Sequence, residues 1–191
     1  MNQPYRRATE FGFGLWLILV VALLTALTVY AAAPGADDPG LQQWPTQSAI
    51  PRTPGRGTLV CFVHPRCACT EATLRELERV VSRAPGANIQ IVFREDPNLD
   101  LATSATWQMA ELIPEAARML DVEGREAARF GARTSGLVLL FNAQGTLQFR
   151  GGVTAGRGHE GDNAGALALE AALRSGTVGQ ADVFGCGLEK R

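Results

Sequence analysis

The sequence predicts an α/β domain preceded by one N-terminal transmembrane helix, and three observations carry that reading. The stretch from Phe11 to Ala33 holds no charged residue. The run Thr58 to His64 is almost continuously apolar or β-branched and leads through a short turn into an amphipathic segment, as a buried strand leads into a helix. Leu137–Phe141 and Thr146–Arg150 flank Asn142-Ala143-Gln144-Gly145 as two strands flank a hairpin turn. A chain of 191 residues then has room for one domain with a real core, and not for two large ones.

Residues 1–10 are read as a short cytoplasmic segment and 11–33 as the membrane helix. At about 1.5 Å per residue the uncharged run spans a hydrocarbon core of roughly 30 Å. A cleaved signal peptide is the competing reading, but its apolar region usually runs to only about 7–15 residues. Ala31-Ala32-Ala33 resembles a small-residue cleavage site, yet Pro34 follows directly, and proline's missing N–H and fixed φ make a poor scissile bond. Retention of the helix is therefore expected. Arg6 and Arg7 precede it and Asp37 and Asp38 follow it, and the Lys/Arg bias keeps the N-terminus inside. The expected topology is a single pass through the cytoplasmic (inner) membrane. Everything from residue 34 onward then lies in the periplasm or on the extracellular side, where thiols can be oxidised. Trp16 within the span and Tyr30 near its outer end suit lipid or interfacial contact.

Residues 34–57 contain Pro34, Pro39, Pro45, Pro51 and Pro54 among several glycines. That composition resists helix and sheet and predicts an extended linker, in which Trp44 is suited to docking on the domain. The domain itself, 58–175, opens on the Thr58–His64 strand. Leu74, Leu77, Val80 and Val81 fall at helical spacing within Thr70–Ser82, with charges between them. A second strand follows at Asn88–Phe93, and then a helix over Leu101–Ile113, ended by Pro114 because the residue before a proline is kept out of the helical region. Ala117–Asp121 reads as a short strand. Gly124–Phe130 reads as a short helix closed by Gly131, ahead of the hairpin. A last helix covers Ala164–Arg174, capped by Asp162 or Asn163. Residues 176–191 form a loop-like tail containing Val183-Phe184-Gly185-Cys186.

The formal net charge is −1 and the sequence pI about 6.1, so the chain lacks the basic excess that neutralises phosphates, and nucleic acid is not an expected partner. The cysteines number four, Cys61, Cys67, Cys69 and Cys186. They are too few for a disulfide-dense scaffold, and Cys67 and Cys69 crowd together at the strand-to-helix turn.

The order β-α-β, helical segment, hairpin and last helix, with cysteines at the end of the first strand, resembles the thioredoxin fold. So does the run Glu126-Ala127-Ala128-Arg129-Phe130-Gly131 leading into Leu137-Val138-Leu139-Leu140-Phe141-Asn142-Ala143-Gln144-Gly145. Within that superfamily the chain resembles the RedB-like group of membrane-anchored bacterial proteins. The motifs are His64-Pro65-Arg66-Cys67-Ala68-Cys69, Thr134-Ser135-Gly136, Gly158-His159-Glu160-Gly161-Asp162-Asn163-Ala164-Gly165 and Val183-Phe184-Gly185-Cys186. The resemblance covers about residues 58–175 and implies a central mixed sheet flanked by helices, with thiol–disulfide exchange as the activity. Two departures matter. The thioredoxin pair is C-x-x-C, whereas Ala68 alone separates Cys67 from Cys69, so a disulfide there would close a smaller ring under the usual geometric limits. Gly136 stands where thioredoxins carry a cis-proline before the hairpin, which bears on how a substrate peptide docks.

The residues support redox chemistry independently. A cysteine at a helix N-terminus feels the positive end of the helix dipole, and Arg66 adds a cation beside it. Both favour thiolate, the nucleophile. Cys67 and Cys69 with Arg66 are therefore the candidate catalytic set, and the resemblance would make Cys67 the attacking and Cys69 the resolving sulfur. Cys186 is either a resolving thiol or a lone exposed one, and Cys61, inside the strand, is a small core hydrophobe. The expected partner is a protein or small thiol or disulfide outside the cytoplasm, with no cofactor.

A rival reading is copper or zinc binding or delivery through Cys67, Cys69, His64 and His159. It would resemble the copper-handling Sco proteins in function, although those carry C-x-x-x-C and a histidine just before the hairpin, where this chain has Thr134 and Ser135. A third reading is a non-catalytic thioredoxin-fold binding module. The plain alternative for each histidine is a hydrogen-bonded loop residue, and Gly161-Asp162-Asn163 reads as a helix cap rather than a calcium loop. Trp107 and Met109 are expected to be packing residues.

Overall fold

A computed structural model describes residues 3–188, with side chains from Thr9 onward. Residues 1, 2 and 189–191 lie outside the described residues, as do the side chains of Arg6 and Arg7, on which the expected orientation rests. The chain divides into two units, one ending at Ala33 and one beginning at Pro34.

The first unit is the helix α1, Gln3–Ala32. Its segment Thr9–Ala32 has a mean hydropathy of 2.4 and is long and apolar enough to cross a membrane. The hydroxyls of Thr25 and Thr28 donate to the carbonyls of Val21 and Thr25 in the preceding turn. Polar atoms of an apolar helix are satisfied in this way within the helix itself.

The second unit is built on a mixed sheet of β1 (Thr58–Val63), β2 (Asn88–Arg94), β3 (Ala116–Asp121), β4 (Leu137–Phe141), β5 (Leu147–Gly151) and β6 (Gly179–Gln180), in the order β3-β2-β1-β4-β5-β6. β1 lies parallel to β2 and antiparallel to β4, β2 lies parallel to β3, and β4 and β5 form the antiparallel hairpin. The helices are α2 (Ala68–Arg83), α3 (Ala105–Glu111), α4 (Arg125–Arg129) and α5 (Ala164–Ser175). This is a thioredoxin-like arrangement, with helices packed against a central mixed sheet.

Each residue of β1 is buried, as a strand covered on both faces requires. Leu59, Cys61 and Val63 point into one core with Leu74, Leu77 and Val81 of α2, Phe149 of β5 and Leu169 of α5. Val60 and Phe62 point into the other with Leu137, Leu139, Phe141 and Phe130. Trp107 and Met109 pack on the first core, the former with its ring centroid 4.9 Å from that of Phe93.

The expected helix over Leu101–Ile113 is broken. Leu101–Thr103 forms a 3-10 turn, and α3 begins afresh because the Ser104 hydroxyl accepts from the Trp107 amide at 3.2 Å and acts as a new N-cap. Asn163, not Asp162, caps α5 by accepting from the Ala166 amide at 2.8 Å. The short strand β6 lies in what the sequence presents as featureless tail.

Residues 34–57 contain no helix and only one isolated bridge, Gln43 to Thr146, as their composition dictates. They are nevertheless not a spacer: they run as a strap across the domain. α4 is one short turn and covers little of the second core, so Leu41, Trp44 and Ile50 complete it. The Trp44 ring meets Phe130 and Phe141 edge-on, at 5.0 and 5.1 Å between centroids. Ser48 and the Ala49 amide donate to the buried Glu126 carboxylate at 2.7 and 3.1 Å. Asp37 pairs with Arg150, which is only 6% exposed and also donates to the Phe130 and Gly131 carbonyls.

Candidate functional site

The site forms where β1 ends, α2 begins and the C-terminal tail crosses. Cys67 precedes α2 as its N-cap residue, with extended backbone (φ −85°, ψ 119°). Its amide donates to the His64 carbonyl at 3.1 Å, and its carbonyl accepts from the Thr70 amide at 2.9 Å. The turn is fixed from the side by Ser135, whose hydroxyl accepts from the His64 amide at 2.9 Å and lies 3.1 Å from the Thr70 hydroxyl.

The tail runs alongside the segment before β4. The Ser135 amide donates to the Cys186 carbonyl and the Leu188 amide to the Arg133 carbonyl, both at 2.8 Å, while Thr134 and Gly187 form an antiparallel bridge. Val183 and Leu188 bury their side chains in the second core and pin the tail on either side of Gly185-Cys186-Gly187. The strap meets it too, through the Gly35 amide on the Val183 carbonyl at 2.7 Å. This pairing brings the sulfur of Cys186 to 2.8 Å from the sulfur of Cys67, across 119 positions of sequence.

Gly136 explains the missing proline. Its φ is +94° and its amide donates to the Phe62 carbonyl at 2.8 Å. Proline supplies neither that dihedral nor that N–H.

The three thiols at the site are electrostatically unequal. Burial opposes ionisation of Cys67, but hydrogen bonds from the side chain and backbone of Cys186 and from the backbone and side chain of Cys69 outweigh it. The Cys67 pKa therefore lies below the ordinary thiol value. Burial raises the Cys69 pKa, and the charge on Cys67 and the hydrogen bond to it raise it further, against the opposing influence of Arg157 and the Gly158 amide. Partial desolvation of its sulfur and the hydrogen bond to Cys67 push Cys186 up to about 12, although the residue as a whole is exposed, with the charges on Cys67 and Cys69 adding to them and Arg157 opposing. Cys67, at the positive end of the sixteen-residue helix α2, is thus the thiol of the set most readily ionised. Cys61 is fully buried in the first core, and burial pushes its thiol up to about 12.

Arg66 stands apart from the thiols. It pairs with Asp96 at 2.8 Å and donates to the Asn98 carbonyl at 2.8 Å, so the loop carboxylate draws the side chain away. The cation at the thiols is Arg157, in the glycine-rich loop between β5 and α5, which also donates to the Gly185 carbonyl. The sequence signal that could have marked it is an arginine set between Gly156 and Gly158 at the sheet end carrying the cysteine turn.

The histidines serve their own loops. His64 Nδ1 accepts from the Arg66 amide at 3.1 Å, and burial and Arg94 lower the ring's pKa, with Asp96 opposing and Arg66 reinforcing the shift. The exposed His159 places Nδ1 3.1 Å from the Arg157 carbonyl. Among the described residues, no group of three or more His, Cys, Asp or Glu side chains is gathered in a way that could hold a metal ion.

No protein-family model matches the sequence, and a search of curated proteins gave no match. Among solved structures the chain is similar to a hypothetical protein from Sinorhizobium meliloti 1021, with a TM-score of 0.66 at 16% identity over 83% of this chain and 99% of that one. It is similar to an uncharacterized conserved protein from Geobacillus kaustophilus, with a TM-score of 0.60 at 16% identity over 84% and 93% of the two chains. StoA from Bacillus subtilis aligns with a TM-score of 0.46 at 13% identity over 73% and 96%. At these identities the likeness concerns the fold.

Proposed function

We propose that this chain is a RedB-like thiol–disulfide exchange protein, anchored by α1 in the cytoplasmic membrane with its domain outside the cytoplasm. In the reduced protein Cys67 is its most readily ionised thiol. The observation that supports this reading best is the 2.8 Å approach of Cys186 to Cys67, at a helix N-terminus where Cys67 is the most acidic thiol of the three. All four motifs behind the resemblance reach it, through Cys67, Ser135, Gly158 and Cys186. The reaction is balanced as an exchange: an external disulfide takes two electrons and two protons from the Cys67 and Cys186 thiols, leaving two external thiols and a Cys67–Cys186 disulfide. Cys69, which donates to Cys67 from its backbone and side chain, is the competing partner that the Cys-x-Cys spacing offers.

Alkylation of the full chain in detergent before and after mild reductant, read by mass, tests the proposal in wild type and in Cys67→Ser, Cys69→Ser and Cys186→Ser. A reducible disulfide is expected in wild type and Cys69→Ser, and none in the other two. Loss in Cys69→Ser with retention in Cys186→Ser assigns the pair to Cys67 and Cys69. Thiols that never cycle overturn exchange altogether.

A further inference from the structure

The two sulfurs of the Cys67–Cys186 pair differ sharply in what can reach them. Cys67 is 3% exposed, enclosed by the turn from His64, by the start of α2 and by the tail itself. Cys186 is exposed. It is flanked by Gly185 and Gly187, so neither neighbour has a side chain to obstruct it, and a β-carbon built on Gly187 meets nothing within 4 Å.

Resting on the pairing proposed above, we infer that Cys186, not the helix-capping Cys67, is the sulfur through which an external thiol exchanges electrons with this protein. An incoming thiolate R–S⁻ attacks the Cys186 sulfur. The R–S–S–Cys186 bond forms, the Cys67–Cys186 bond breaks, and its electron pair leaves on Cys67 as thiolate. A second external thiolate then attacks the sulfur of R in this mixed disulfide, forming R–S–S–R and releasing Cys186, which takes up a proton. The chain's disulfide is the oxidant, reduced by two electrons as two external thiols are oxidised.

Three features favour this direction of attack. Access selects Cys186. A disulfide opens faster when the departing thiol has the lower pKa, and that thiol is Cys67. Arg157 lies close enough to Cys186 and Cys69 to favour their charged forms, so it equally attracts an anionic nucleophile to the same surface. The substrate class is accordingly a thiol in its anionic form, presented by a small molecule or an exposed protein cysteine. The tail is both the cover of Cys67 and its contact with the outside.

The test uses the oxidised full chain in detergent and reduced glutathione as probe. The reaction is quenched with acid at short times, free thiols are alkylated, and the adduct is located in tryptic peptides. Cleavage after Arg66, Arg75 and Arg174 separates Cys186 from Cys67 and Cys69. The glutathionyl group is expected on the Cys186 peptide at the earliest times, in wild type and in Cys69→Ser, where Cys69 cannot relay it. First appearance on the peptide bearing Cys67 overturns the inference while leaving exchange intact. Absence of any Cys67–Cys186 disulfide in the starting protein overturns the pairing, and the inference with it.

Discussion

The carbonyl oxygen of Ser135 lies 1.9 Å from the point that a β-carbon on Gly185 would occupy. The tail therefore docks only because residue 185 has no side chain. Gly185→Ala forces tail and sheet apart, and overpacking of this kind costs about 1–3 kcal/mol, a loss of docked tail of about fivefold to roughly a hundredfold. Cys67 loses its cover, so its alkylation by iodoacetamide in the reduced protein is expected to speed up by about that factor. An unchanged rate would show that the tail does not shield Cys67.

Arg66 and Arg157 should behave oppositely. The Arg66–Asp96 pair is half-exposed on the arginine side, and such pairs contribute about 0–1 kcal/mol, so Arg66→Ala is expected to leave thiol reactivity within about twofold. Arg157→Met removes the cation that favours thiolate at Cys69 and Cys186. Alkylation of Cys69 at mildly alkaline pH should then slow several-fold. Equal effects of the two substitutions would refute this division of roles.

The acidity of Cys67 depends first on donors from Cys186. Cys186→Ala removes the thiol donor and keeps the backbone pairing, so the Cys67 pKa should rise. Its rate of alkylation against pH would then turn upward at higher pH than in wild type. An identical profile would assign the acidity to the α2 dipole instead.

Stability at alkaline pH follows from Cys61. Its folded pKa is raised to about 12, while an unfolded cysteine ionises near 8.5. A raised folded value gives stability that is complete below the unfolded pKa and is lost as pH climbs toward the folded one. The slope reaches about 1.4 kcal/mol per pH unit for one group. In the fully reduced protein urea midpoints should fall above about pH 9, and the fall should be shallower in Cys61→Ala, with Cys69 and Cys186 supplying a residual slope of the same sign and Cys67 opposing it.

Asp37→Asn leaves the buried Arg150 with carbonyl partners only. Stranding a buried charge in this way should cost about 3 kcal/mol, seen as a lower urea midpoint. Arg150→Met in the same background removes the stranded charge and should recover part of the loss. Additive losses would mean that the pair is not coupled.

The fold was legible wherever local pattern and tertiary fate coincide. The all-apolar β1, the period of α2 and the hairpin around Asn142–Gly145 each carry their structure in their own residues. The strap reads as a spacer because its prolines forbid regular structure, while its docking depends on Phe130, Phe141, Glu126 and Arg150, which are far away in sequence. The site divides the same way. Cys67 announces itself by position before an amphipathic helix. Arg157 and the docking of Cys186 depend on where a glycine-rich loop and an irregular tail come to rest, and no periodicity encodes that. Arg66 lies beside the cysteines in sequence and away from them in space, paired with Asp96, since adjacency along a turn does not set the direction of a long side chain.

The backbone pairing between Arg133–Ser135 and Cys186–Leu188 has a thermodynamic corollary. A bond between Cys67 and Cys186 closes a ring spanning 119 positions, and a cross-link that long lowers the entropy of the unfolded chain by an amount equivalent to about 4–5 kcal/mol. Around a closed cycle, whatever the bond adds to folding, folding must add to the bond. Fold stability and electron affinity are then one quantity seen from two sides. Anything that pries the tail from Ser135 should make the protein a stronger oxidant, at about 30 mV for each 1.4 kcal/mol of docking lost.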